Sequence, residues 1–171
     1  TTTYGAVPVP LLHEFKSANI HHLVNHSEAK VLFVDEVIWE GLSETEMPEL
    51  HAIIQVNTFK VRYAVDQKIY EAKVHLNELF GRKYPNVFDS SSLDYYVDSP
   101  EELAIINYTS GTSGFSKGVM IPYRAVLSNI MFARKVLPQL DHTSRVVSML
   151  PSAHMYGLMF ELLYELSVGA H

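Results

Sequence analysis

The stretch Asn107–Tyr123 reads N-Y-T-S-G-T-S-G-F-S-K-G-V-M-I-P-Y, and the rest of this 171-residue chain is organised around it. Between Thr109 and Gly118 stand three glycines, five hydroxyl side chains and one lysine, with no acid. Glycine adopts positive φ at little cost, so successive amides can turn inward as a concave nest for an anion. The hydroxyls add donors that rotate to suit, and Lys117 brings a mobile positive charge. A run of this composition is also what a flexible linker looks like. Against the linker, Leu103–Tyr108 and Val119–Tyr123 on either side are short, apolar and rich in β-formers, so the run reads as a loop between two strands. The kinase-type P-loop is excluded. That pattern ends in Gly-Lys-Ser/Thr, whereas Lys117 lies between Ser116 and Gly118. No helix is expected directly behind Lys117, so the grip on phosphate comes from amides, hydroxyls and the lysine rather than from a helix dipole.

Working outward, the alternation of elements points to an α/β fold, a layered, mostly parallel, doubly wound sheet flanked by helices. Ala6–Leu11 reads as an edge strand carrying two prolines. Ser17 reads as the cap of a helix reaching Ser27, with Ile20, Leu23 and Val24 on its buried face. Lys30–Val34 and His51–Asn57 read as strands, with a short helix over Glu36–Leu42 between them. Residues 58–93 read as a helical insertion or connection, its helix over Asp66–Tyr84, and Asp89–Pro100 as a Ser/Asp-rich surface loop. Beyond the loop, Tyr123–Leu137 is a helix with Val126, Ile130, Ala133 and Leu137 in one stripe, stopped by Pro138. Arg145–Leu150 reads as a strand and Tyr156–Ser167 as a helix with Tyr156, Met159, Phe160 and Leu163 on one side.

Composition bounds the function. The formal charge is −6, so no global field favours nucleic acid or an anionic membrane. Cysteine is absent, which excludes disulfides and thiolate metal sites and suits a reducing cytoplasm. Glu161 and Glu165 interrupt the apolar run near the C-terminus, so no membrane span is expected. His22 and His26 have the i,i+4 spacing of a zinc pair. With no third ligand or general-base glutamate beside them, they read with His21 as a solvated face, and no metal site is assigned. Arg124, Arg134 and Lys135 read as exposed charges. A single histidine in a turn after a buried strand, such as His154, is more often structural than functional.

Y-T-S-G-T-S-G-x-x-K-G-V resembles the signature loop of the adenylate-forming (AMP-binding) superfamily, and Asn25–Val34 is similar to the helix-to-strand passage of its long-chain fatty acyl-CoA synthetases. Three further stretches agree in order: Gly5–Leu11 (G-A-V-P-V-P-L), Asn25–Val34 (N-H-S-E-A-K-V-L-F-V) and Leu150–Gly157 (L-P-S-A-H-M-Y-G). The last matches the family's Leu-Pro-x-x-His-x-x-Gly element. Ser113 replaces the commoner Thr, Ser116 stands where most members carry Pro, and Ser152 where an aliphatic residue is usual. The resemblance implies that Thr109, Ser110, Gly111, Thr112, Ser113, Gly114 and Lys117 hold the nucleotide phosphates. It places His154 and Gly157 beside the acyl carboxylate, in a shaping and electrostatic role.

The same resemblance implies a ligase that uses ATP, Mg²⁺ and CoA, activates a long-chain fatty acid as its acyl-adenylate and transfers it to CoA. The chain begins at Thr1 and stops after Gly169-Ala170-His171. Measured against the family it reads as one α/β section, residues 1–171, of the large N-terminal domain. The Mg²⁺ ligand, the catalytic groups and the C-terminal domain are then expected elsewhere, and this section is expected to be inactive alone. Its partners are small molecules, it is cytoplasmic, peripheral to a membrane at most, and its cut edges are a place for self-association. The alternative reading is a non-catalytic nucleotide- or phosphate-binding module.

Overall fold

A computed structural model describes residues 4–92, 99–109 and 116–171. The chain divides into two compact units, His13–Asp94 and Thr1–Leu12 with Tyr95–His171.

In the His13–Asp94 unit, α1 spans Ser17–His26 and buries Ile20, Leu23 and Val24, the expected face. Ser17 is its first helical residue rather than its cap. Lys16 is the last extended residue and makes no side-chain cap bond, its carbonyl accepting from Asn19 and Ile20. Strand β1 (Val31–Val34) runs parallel to β2 (Ala52–Gln55), joined through α2 (Glu36–Trp39), whose N-terminus is capped by the Asp35 carboxylate. Leu23, Met47, Leu50 and Ile53 are almost fully buried here. Enclosing an aliphatic side chain to this extent contributes about 1.5–3 kcal/mol.

The helical reading of residues 58–93 is corrected at its start. Strand β3 (Val61–Ala64) turns back antiparallel to β2 through a tight loop with Phe59 at φ 52°. V-R-Y-A fits a half-buried pleated surface, and all four residues are partly buried there. The single helix over Asp66–Tyr84 is two, α3 (Gln67–Val74) and α4 (Leu76–Lys83), parted at His75. Val74 and His75 are weak helix formers, and neither helix buries a residue that would impose continuity.

In the other unit, β4 (Leu103–Thr109) and β5 (Lys117–Pro122) form an antiparallel pair, flanking the Gly/Ser run as expected. Helix α5 (Tyr123–Val136) follows at once and presents Val126, Ile130 and Ala133 inward. The core joins Val126 and Ile130 to Ala104 and Ile105 of β4 and to Leu158 and Met159. The expected C-terminal helix is composite: α6 (Met155–Leu158), a π-helical turn (Met159–Leu163) and α7 (Tyr164–Val168), closed by Gly169 at φ 76°. Tyr164, 1% exposed, donates its hydroxyl to Leu137 O at 2.6 Å.

The α/β class holds, but the sheet is less parallel than the alternation of elements suggests. Of the three strand pairs among the described residues, only β1–β2 is parallel. Two expected strands are absent. Ala6–Leu11 contributes one rung, Ile106 N–H to Pro8 O at 3.1 Å, because Pro8 and Pro10 have no N–H to extend a ladder. Among the described residues, Arg145–Leu150 hydrogen-bonds to other backbone only at its start, where Val146 N–H donates to His171 O and His171 N–H to Ser144 O. Past that rung no neighbouring strand lies alongside among the described residues, and Val147 and Met149 stand 81% and 83% exposed. No described helix is long and apolar enough to cross a membrane.

Candidate functional site

The site is built on the β4–β5 pair. Tyr108 faces Gly118 and Thr109 faces Lys117 across the last rungs, so the two ends of the Gly/Ser run leave the ladder side by side. Ser110, Gly111, Thr112, Ser113 and Gly114 lie outside the described residues. Gly118 has little room for a side chain where it stands. A Cβ on it would sit 3.2–3.3 Å from the Tyr108 ring and from Ile106 Cγ2, tighter than side chains normally pack. Thr109 and Lys117 are both exposed. Among the described residues Lys117 has no carboxylate partner. Arg124 pairs instead with Glu101 at 2.8 Å, and Arg134 donates to the Ser167 carbonyl at the end of α7, so both face protein groups.

A second piece is tied to β4 by a residue that the sequence reading left without a role. Asn107, 3% exposed on an otherwise apolar strand, donates from Nδ2 to Ala153 O at 3.0 Å. A buried amide needs its partner, so this bond fixes the Pro151–His154 turn against the strand that leads into the Gly/Ser run. An asparagine within L-A-I-I-N-Y was the signal available beforehand.

His154 is exposed and caps α6: its Nδ1 accepts from Tyr156 N–H at 3.3 Å. That acceptor role leaves the neutral ring's proton on Nε2, which faces away from the cap. His154 N–H closes the turn on Pro151 O at 2.8 Å. Gly157 is buried, and a Cβ there would meet Pro151 O at 2.6 Å and Leu150 at 3.2 Å. The turn and the first turn of α6 therefore lie in contact only because residue 157 has no side chain. Of the aromatic/Met face behind His154, Met159 is core while Tyr156 is 55% exposed and stacks on Phe160 at 4.7 Å.

Glu161 also reaches this region. Its Oε2 accepts from Leu150 N–H at 2.8 Å, Met149 N–H at 2.9 Å and Ser148 Oγ at 2.9 Å. These bonds, the Leu150 amide foremost, hold its carboxyl below the ordinary range. Glu165, one turn on, is pushed up by desolvation and by the Glu161 charge.

Elsewhere, His21 accepts from Ser43 N–H at 3.1 Å and so has a structural partner, while the exposed His22 and His26 rings are 5.9 Å apart. Among the described residues no group of three His, Cys, Asp or Glu side chains is placed to hold a metal ion.

The model of the AMP-binding enzyme family matches residues 1–171. The chain is 29% identical over 175 residues to long-chain-fatty-acid–CoA ligase 1 of Homo sapiens, covering 92% of this chain and 23% of that protein. It is 27% identical over 169 residues to long chain acyl-CoA synthetase 6, peroxisomal, of Arabidopsis thaliana, covering 95% and 23%. Among solved structures, ATP-bound MatB from Rhodopseudomonas palustris matches with TM-score 0.70 at 18% identity, over 98% of this chain and 30% of that one, which shows a shared fold. The chain thus spans 23% of the length of these two curated relatives.

Proposed function

The chain belongs to the AMP-binding enzyme family, and from that premise we propose that it is the phosphate-gripping section of an ATP-dependent carboxylate–CoA ligase whose carboxylate is a long-chain fatty acid. The supporting observation is the join at Asn107. One strand leads into the Gly/Ser run and, three residues before it, holds the turn that carries His154. A nucleotide phosphate site and an acyl-carboxylate site share, on this proposal, one short piece of backbone. In this reading the chain is a section of the large N-terminal domain, working in the cytoplasm.

In the first step a carboxylate oxygen bonds to the α-phosphorus of ATP while the bond to pyrophosphate breaks. Two anions must approach, so charge neutralisation and positioning dominate the barrier. Lys117 supplies the positive charge, and Thr109 with Ser110, Gly111, Thr112, Ser113 and Gly114 supplies donors to the β- and γ-phosphates. Hydrogen bonds to charged groups contribute about 1.5–3 kcal/mol each, enough to orient the leaving pyrophosphate. His154, with Gly157 allowing its turn to pack closely, shapes the carboxylate side. In the second step the CoA thiol attacks the acyl carbon and AMP departs with its oxygen. Mg²⁺ would neutralise the phosphates further, but the described residues offer no carboxylate cluster for it.

The test is pyrophosphate exchange into ATP by the protein that carries this chain, over carboxylates of graded length. Exchange stimulated by long-chain fatty acids supports the reading. Nucleotide binding with no exchange for any carboxylate points to a binding module instead.

A further inference from the structure

Glu161 makes hydrogen bonds that neither the core nor the phosphate grip explains. A glutamate in an apolar helix ordinarily faces water. This one turns to a backbone segment that has no strand partner among the described residues and takes up two of its amides and one hydroxyl. The π-helical turn Met159–Leu163 makes the aim possible. At about 100° per residue, Met159 and Tyr164 would lie about 140° apart on a regular helix. Both are nonetheless buried, at 3% and 1%, because the wider turn resets the phase between them. Glu161, inside that turn, is left free to face Ser148–Leu150. Single π turns of this kind recur at functional sites.

From Leu150 the path to His154 is short. Pro151 follows directly, its carbonyl accepts from His154 N–H at 2.8 Å, and Gly157 packs on the same carbonyl. We infer that Glu161 is a positioning residue: its carboxylate anchors Ser148–Leu150 and so sets where the His154 ring stands. The inference rests on the proposed role of His154 beside the acyl carboxylate.

The test uses the protein that carries this chain, with Glu161→Gln, Glu161→Asp, His154→Ala and the double variant Glu161→Gln/His154→Ala. Misplacing a group by an ångström can cost on the order of a hundredfold, so Glu161→Gln is expected to lower kcat/KM for the carboxylate by about ten- to a hundredfold while KM for ATP holds. Glu161→Asp recovers part of the loss. Because Glu161 acts through His154, the double variant is no slower than His154→Ala alone. The His154 ring resonances move in Glu161→Gln. Losses that multiply in the double variant, or a lower thermal midpoint with kcat/KM unchanged, overturn the inference. If the unaltered protein shows no pyrophosphate exchange with any carboxylate, the ligase reading fails by itself. The ring resonances then decide: a shift upholds the positioning role and an unmoved ring removes it.

Discussion

Alanine at position 157 and alanine at position 81 are the same chemical change with opposite expected signs. At Gly157 the new Cβ would lie 2.6 Å from a backbone oxygen, Pro151 O, and 3.2 Å from both Leu150 Cβ and Leu150 O. A carbonyl in a tight turn cannot rotate aside as a side chain would, so the turn and α6 must separate. Overpacking of this kind costs about 1–3 kcal/mol. Removing a glycine from a helix returns about 0.5–1 kcal/mol. The net is a loss of up to about 2.5 kcal/mol, or up to about 10 °C in thermal midpoint for a chain of this size. The moved turn also carries His154, so carboxylate-dependent exchange falls further than stability does. At Gly81, inside α4, a Cβ meets nothing within 4 Å. There only the helix term remains, and Gly81→Ala raises stability by about 0.5–1 kcal/mol. Thermal unfolding followed by circular dichroism reads both variants. A Gly157→Ala midpoint equal to or above that of Gly81→Ala would refute the steric account of the Leu-Pro-x-x-His-x-x-Gly element.

Lys117→Ala lowers pyrophosphate exchange without lowering the thermal midpoint, since Lys117 is exposed and has no ion-pair partner among the described residues; an unchanged rate removes it from the mechanism. Asn107→Ala leaves Ala153 O without its donor and opens a hole beneath the turn, a loss of about 1–3 kcal/mol measured by denaturant titration. Glu161 contributes a pH dependence whose sign follows from its depressed pKa. Its contribution is complete above the unfolded value of 4.5 and is lost as pH falls through the lower folded value. Asp89 and Asp141, also depressed by local hydroxyl and amide bonds, weaken the fold below 3.8 in the same direction. Glu165 runs the other way: its raised pKa disfavours the charged form, a penalty relieved as pH falls toward 4.5. The midpoint difference between Glu161→Gln and the unaltered chain therefore narrows below pH 4.5; a constant difference means the three bonds do not form in solution.

Local pattern carried much of this protein. The strands beside the Gly/Ser run, the inward stripe of α5, the buried face of α1 and the parallel β1–β2 pair all follow from side-chain period and turn chemistry, which act between near neighbours. Those signals sit in the residues themselves, so they are visible in one dimension. Tertiary structure decided the rest. β3 exists because β2 offers it an edge, and Arg145–Leu150 fails as a strand because beyond its first rung no described strand pairs with it. Asn107 and Glu161 acquired roles only when folding brought Ala153 and Ser148–Leu150 to them, 46 and 11–13 residues away in sequence. Gly157 was legible as a motif position, but its reason, a carbonyl lying where a side chain would go, is a distance that only packing sets.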